Sequence, residues 1–282
     1  MTQMPTYREA YTKILTSRKK GGVVGSLSES VENVKIDPNH LRAFRRVAGH
    51  VDDGRIPATY PHVLIGALHA KLIARDDFPH PALGLVHVAN QIRCYSALAL
   101  DDRFDVTVAI DGQRDARKGI EFDLVTQFRR GKELVWEQIT TVLRPGKTKL
   151  DGARESKTVE AQPHMLRSVA LKVPEDMGRR YAAVSGDYNP IHLHALAAKP
   201  FGFRRAIATG MWTAARVVAE LDRDIPDEAY EFDVAFRRPV YLPSRIVFEA
   251  WKDDANTLWR VVSPDAKTIH MTGAVRPITE KS

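Results

Sequence analysis

The chain has 282 residues, 44% of them apolar and 27% charged, which suits a globular protein with one large domain or two of ordinary size. No window nears the ~18 consecutive apolar residues a membrane span needs, and Cys94 stands alone, so an internal disulfide and a cysteine-rich metal site are both excluded. A net charge of +7 reads either as an ordinary basic surface or as attraction to an anionic partner, and the dispersed Lys and Arg form no recognition motif, which disfavours nucleic acid.

Residues 1 to 22 read as a helical lead-in ending at Lys19-Lys20-Gly21-Gly22. Its scattered charges do not make a signal peptide, and with the lone cysteine this leads us to expect a cytoplasmic protein. Val34-Lys35-Ile36 predicts a short strand. Asp37 predicts the N-cap of a helix entered through Pro38 and carrying His40 to Val47. A polar loop, Gly49 to Arg55, precedes Ile56 to Pro61 and the run HVLIGALHAKLIA. Val63, Leu64, Ala67, Leu68 and Leu72 recur there at helical spacing and predict a mostly buried helix. From Leu83 the pattern becomes extended, in runs rich in Val, Ile, Phe and Thr. Asp101-Asp102, Asp111-Gly112 and Gly131-Lys132 divide it as turns of an antiparallel meander.

Pro145 to Pro163 is polar and charged and reads as a linker. This divides the chain into an N-terminal half over 1–150, a linker over 151–163 and a C-terminal half over 164–282. The second half repeats the plan of the first. Leu166 to Val173 predicts a strand, Pro174 a short helix to about Val184, and Thr209 to about Leu221 a second buried helix. YEFDVAFRRPVY, RIVFEAW, LWRVVS and TIHMTGAV then follow as extended runs. Ile56 to Leu68 corresponds to Ala206 to Val218, and HVANQIRCYS to DVAFRRPVYL, so the chain carries an internal duplication.

The chemistry concentrates between Tyr181 and Met211. Asp187, Asn189 and His192 lie within six positions around Pro190, which stiffens the loop from Ser185. An Asp and a His on one turn can take a proton from water and return one to a substrate carbon. Gly210 falls at the N-terminus of the second buried helix, where unpaired backbone N–H groups can hold a developing oxyanion. Ser185 and Asn189 are expected to brace the loop through local hydrogen bonds. Thr209 is expected to act through its backbone, and Met211 to lie beside the substrate or brace the loop. Tyr181 is expected to pack.

Tyr181-Ala182, Ser185-Gly186-Asp187, Asn189-Pro190-Ile191-His192, Phe203 and Ile207 to Met211 together resemble the MaoC-like hydratase/dehydratase family. Two positions depart from the pattern: His194 stands where the family usually has Asp, and Thr209 where it often has His. The resemblance implies an α+β double hot-dog, two long buried helices each wrapped by a curved antiparallel sheet, with the two sheets continuous. It implies a hydro-lyase that adds water syn across a 2-enoyl thioester to give an (R)-3-hydroxyacyl thioester, or reverses this, in fatty-acid or polyketide-type metabolism. Asp187 and His192 would hold the water, either group taking its proton, while Gly210 N–H polarises the thioester carbonyl. No metal or cofactor is implied, because the thioester itself acidifies C2.

The expected partner is an acyl-CoA or an acyl carrier protein thioester, and the resemblance leaves room for a homodimer. Arg204, Arg205, Arg237 and Arg238 are ordinary solvated charges by default, with one pair a candidate for phosphate or carrier recognition. His62 and His69, seven residues apart, lack further metal ligands nearby and read as core or surface histidines. Gly49-His50-Val51-Asp52 has the motif's residue types in the wrong order, so the first half reads as structural, shaping the acyl pocket. Two alternatives stand beside this reading. A thioesterase on the same fold usually carries its carboxylate on the central helix, but Thr209 to Glu220 has no acid until its end. A non-catalytic acyl-binding or subunit-forming protein gives no reason for Asp187, Asn189 and His192 together.

Overall fold

In a computed structural model, residues 5–16, 19, 21–147 and 165–279 are described. Helix α1 (Tyr7–Thr16) leads into strand β1 (Ser28–Lys35) and helices α2 (Pro38–Ala48) and α3 (Tyr60–Ala74). The meander β2 (Val86–Cys94), β3 (Arg103–Ala116), β4 (Gly119–Arg130) and β5 (Glu133–Pro145) completes the first half. The second half comprises β6 (Met165–Val173), α4 (Met177–Ser185), α5 (Pro190–Leu193), α6 (Ala195–Ala198), α7 (Gly210–Leu221) and four strands. These are β7 (Tyr230–Phe236), β8 (Ser244–Asp253), β9 (Asn256–Val262) and β10 (Ile269–Pro277).

Most of the predicted elements form for the expected local reasons. Asp37 caps α2 by accepting a hydrogen bond from Asn39 N at 2.9 Å, with Pro38 in the first turn. Helix α3 is apolar on nearly all sides, as a helix enclosed by a sheet must be. In β4 every second side chain, from Phe122 through Leu124 and Thr126 to Phe128, turns inward.

Ten antiparallel strands form one sheet in the order β1-β3-β4-β5-β2-β7-β10-β9-β8-β6. The order is the same read outward from either side of the central pair, since β2-β5-β4-β3-β1 mirrors β7-β10-β9-β8-β6. The duplicated segments therefore meet as neighbours, with Ala89 opposite Ala235 and Asn90 opposite Val234. Two sheet halves wrapped around α3 and α7 make a double hot-dog. The core runs through both halves, from Phe104, Phe128 and Trp136 to Phe232, Phe248 and Trp259. No helix among the described residues is long and apolar enough to cross a membrane.

Two expectations need adjustment. Asp111-Gly112 is a bulge inside β3, not a turn: the pairing with β4 shifts between Asp111 and Arg114, and the chain reverses only between Ala116 and Gly119. Gly112 has φ 57°, and a glycine's left-handed freedom serves a bulge as readily as a turn. Beyond it, Arg114 pairs with Glu121 and Asp123 and carries the ladder onward. Helix α4 begins at Met177, three residues after Pro174, whose carbonyl accepts from Met177 N in the preceding turn. The expected linker, 151–163, lies outside the described residues.

Candidate active site

The reactive loop is built from bonds between near neighbours. Helix α4 ends at Gly186, which adopts φ 71° and donates its N–H to Ala182 O at 2.8 Å. The chain turns sharply, and Ser185 Oγ accepts from Asp187 N at 3.2 Å. Asp187 Oδ1 accepts from Asn189 N at 3.1 Å, and Asn189 Oδ1 accepts from Ile191 N at 3.3 Å, capping α5 behind Pro190. Each of these side-chain bonds spans two residues, so the sequence alone dictates the loop's shape. His194 caps the next short helix, α6, with Nδ1 accepting from Leu196 N at 3.2 Å. A histidine thus supplies the acceptor that an aspartate would supply at this position.

Helix α5 carries His192 inward. Its side chain is 10% exposed, against 30% for Asp187, and His192 Nε2 lies 3.9 Å from Asp187 Oδ2. The gap is too long for a direct hydrogen bond, yet an oxygen about 2.8 Å from both atoms can bridge them. His192 Nδ1 lies 2.9 Å from Ile207 O. A carbonyl only accepts, so Nδ1 carries a proton and Nε2 is the nitrogen turned to the Asp187 side. Ile207 also donates its N–H to Ile191 O at 3.0 Å, so one residue grips α5 from two directions.

The same segment positions Gly210. Ala208 N bonds Val240 O and Leu242 N bonds Ala206 O, both at 2.8 Å, which pins the approach to α7. Thr209 is the N-cap residue but makes no side-chain cap bond, leaving the first-turn N–H groups of α7 without a side-chain acceptor. The Phe236 ring packs against Gly210 so closely that a Cβ there would come within 2.8 Å of it. Thr209 is 8% exposed, and its Oγ1 has no hydrogen-bond partner among the described residues. Met211 is buried and its Sδ lies 3.5 Å from Asn90 Nδ2, so it ties α7 to β2, the strand of the first half at the seam between the halves. Tyr181 is buried in the core.

The sequence reading missed one participant. Tyr11, on α1, donates its hydroxyl to Asp187 Oδ1 at 3.1 Å across 176 residues of chain. Burial and the Asp187 charge hold the Tyr11 hydroxyl well above its ordinary pKa, so it stays protonated and donates. Tyr7 stacks on Tyr11 with ring centroids 5.9 Å apart. Tyr7, Ala10, Tyr11 and Ile14, recurring at helical spacing on α1, were the available signal for a docking face.

His62 and His69 belong to a polar network inside the first half. His62 Nδ1 lies 3.0 Å from Gln138 Oε1, Gln138 Nε2 donates to Asn90 Oδ1 at 2.9 Å, and Asn90 Nδ2 lies 3.1 Å from His87 Nε2. His69 Nε2 bonds Thr126 Oγ1 at 2.7 Å. Burial lowers the pKa of all three histidines and pushes His87 down to about 3, so they are neutral near pH 7. Arg204 and Arg205 lie over the Tyr241 ring at 4.6 and 5.6 Å, beside the segment that leads to Gly210.

Known proteins resemble this chain to different depths. A MaoC-like domain model matches residues 155–274. The 3-hydroxyacyl-thioester dehydratase X of Mycobacterium tuberculosis is 37% identical over 215 residues, 76% of this chain and 76% of that protein. A crystal structure of HtdX from the same organism superposes with a TM-score of 0.77 at 33% identity, covering 89% of this chain and 100% of the other. A MaoC-like dehydratase from Phytophthora capsici gives 0.73 at 17% identity, covering 96% and 98%, and at that identity the likeness speaks for the fold alone. Identity above one third across three quarters of both chains, with the matched domain falling on the half that holds Asp187 and His192, places this chain in the MaoC-like dehydratase family.

Proposed function

We propose that the protein interconverts 2-enoyl and (R)-3-hydroxyacyl thioesters by addition or loss of water at Asp187 and His192. The observation that carries this reading is the 3.9 Å separation of Asp187 Oδ2 and His192 Nε2, with the outer atom of each group already anchored. In hydration, water sits between the two atoms and its oxygen bonds to C3. Its proton passes to the pair, and the pair returns a proton to C2 on the same face. The carbon–carbon double bond is lost, one C–O and one C–H bond form, and the enzyme's proton count is unchanged. Dehydration runs through the same steps backwards. The bond from His192 Nδ1 to Ile207 O keeps Nε2 aimed inward and stabilises the imidazolium when Nε2 is charged. The N–H of Gly210, at the N-terminus of a 12-residue helix, stabilises the enolate-like charge on the thioester oxygen as it develops.

Coenzyme A or a carrier protein would approach over Arg204 and Arg205. Both are exposed, and among the described residues neither has a carboxylate partner. Thioester hydrolysis receives no support from α7, whose acidic residue, Glu220, lies in the last turn and pairs with Arg216. Crotonyl-CoA hydration, followed as loss of enoyl absorbance, tests the proposal. Turnover by the wild type, lowered by about 10²-fold or more in a folded Asp187→Asn variant, is the expected result. Release of free thiol, with the double bond kept in the freed acid, would overturn it in favour of hydrolysis.

A further inference from the structure

Helix α1 lies outside the matched domain, yet its placement is specific. Ala10 packs on Ala70 and Ala74 of α3, with Tyr7 and Ile14 beside them. Small residues on both sides let the two helices approach closely. The Tyr7 ring fills a slot left by two glycines: a Cβ on Gly66 of α3 would run into the Tyr7 hydroxyl, and one on Gly186 would come within 2.5 Å of the ring. Gly186 is the residue on which the reactive loop turns. A helix from the start of the chain is therefore seated between the first half's central helix and the hinge of the catalytic loop. Tyr11, one turn beyond Tyr7, reaches Asp187 Oδ1.

We propose that Tyr11 is a positioning residue for the reaction, fixing the Asp187 carboxylate so that Oδ2 is the oxygen presented to water. This rests on the assignment of Asp187 and His192 as the reacting pair. Oδ1 accepts two hydrogen bonds, from Tyr11 Oη and Asn189 N, both at 3.1 Å. Asn189 N comes from the same loop and moves with it, whereas Tyr11 is carried by a helix anchored to α3 and supplies a reference point outside the loop. With both donors in place the carboxylate cannot rotate to exchange its oxygens without losing two bonds, and Oδ2 stays opposite His192 Nε2. The first half thus contributes one hydroxyl to the chemistry of the second.

Tyr11→Phe removes that hydroxyl and keeps the ring. The experiment measures kcat and KM for crotonyl-CoA well below the melting midpoint, normalised to the folded fraction by circular dichroism. Tyr11→Phe should lower kcat by roughly 10- to 100-fold, the scale of losing a hydrogen bond to a charged group. KM should stay within about twofold, because the hydroxyl meets the carboxylate and not the substrate. Glu9→Gln, on an exposed site of the same helix, should leave both constants within about twofold. Wild-type kcat in Tyr11→Phe, with Asp187→Asn inactive, would overturn the inference and leave the reacting pair intact. Wild-type kcat in Asp187→Asn would instead sink the pair itself. A raised KM at unchanged kcat would make Tyr11 a wall of the substrate pocket, and a raised kcat would make α1 an obstruction. Either result also overturns the inference.

Discussion

Two helix ends in this molecule are built alike and used differently. Helix α2 closes on Gly49 with φ 80°, and α4 closes on Gly186 with φ 71°, each cap N–H bonding the carbonyl four residues back. After Gly49 the chain places His50 against Phe44, ring centroids 5.9 Å apart, and Asp52 is held by Arg45. After Gly186 it places Asp187, partly exposed, opposite His192. The central helices differ in the same sense. Helix α3 opens with Tyr60, fully buried, its hydroxyl 2.9 Å from His40 Nδ1, where α7 opens with the bare backbone of Gly210. The architecture is common to both halves, so it cannot by itself create the reaction. A few side chains at two helix termini decide which half has reactive groups, as fold and function are generally separable.

The largest expected effect comes from removing the groups that only the second half has. Asp187→Asn and His192→Gln should each lower kcat by something like 10² to 10⁴, the usual reach of positioned acid/base groups. The double variant should fall well short of the product of the two losses, since groups that share one water act as a unit. Steady-state kinetics on folded variants measures both, and multiplicative losses would separate the pair into independent roles. Gly210→Ala makes α7 begin more like α3 by adding a Cβ against the Phe236 ring. It should cost about 1–3 kcal/mol of stability by overpacking and lower kcat as the helix terminus shifts. Thermal unfolding beside kinetics would show this, and an unchanged kcat would remove the Gly210 backbone from the mechanism.

The first half should reveal itself in acid. Burial depresses the folded-state pKa of His50 to about 4 and of His87 to about 3, against about 6.5 in the unfolded chain. Above pH 6.5 neither group is charged in either state, so neither affects stability. As pH falls through 6.5 the unfolded chain takes up protons that the folded one refuses. Each histidine then removes at most about 1.4 kcal/mol per pH unit until its folded value is reached. Denaturant midpoints should therefore drop from pH 6.5 towards 4, and His87→Gln should flatten part of that slope. A midpoint independent of pH across this window would place the histidines in solvent-like surroundings.

A smaller contrast concerns arginines. Arg55, before α3, is paired with Asp53, Asp222 and Asp227, whereas Arg204 and Arg205, before α7, lie over the Tyr241 ring and have no carboxylate partner among the described residues. If the latter meet substrate phosphates, KM for a CoA thioester should rise a few-fold from low salt to about 0.5 M while kcat holds, because exposed ion pairs are screened. A flat KM would remove them from recognition. The smallest effect is expected at Thr209. Replacing it with Val removes a buried hydroxyl that has no partner, so activity should stay within about twofold and stability should hold or rise slightly. A large loss of kcat would give the hydroxyl a role in the reaction.

Much of this was legible in the sequence because it is local. Asp37 before Pro38 dictates the start of α2. The bonds from Asp187 N to Ser185, from Asn189 N to Asp187 and from Ile191 N to Asn189 each span two residues, and they fold the reactive loop wherever the chain carries it. Hydrophobic spacing fixed α3 and α7 as buried helices, and the repeated pattern after each fixed two matching halves. At Asp111-Gly112 the local signal misled, because the residue types that favour a turn also favour a bulge and only the pairing with β4 separates the two.

The sequence by itself therefore determined the two-fold plan, the loop and the residue types of the proposed pair. Tertiary structure alone decided how the pair is aimed. Ile207 O selects the His192 tautomer, and Tyr11, 176 residues from Asp187, reaches its Oδ1 only because Gly66 and Gly186 leave a slot for Tyr7. The polar network of His62, Gln138, Asn90 and His87 likewise exists only once α3, β5 and β2 have come together. The physical reason is range. Caps, turns and periodicity act over two to four residues, whereas these contacts form between segments that share no local pattern and meet only when the core is closed.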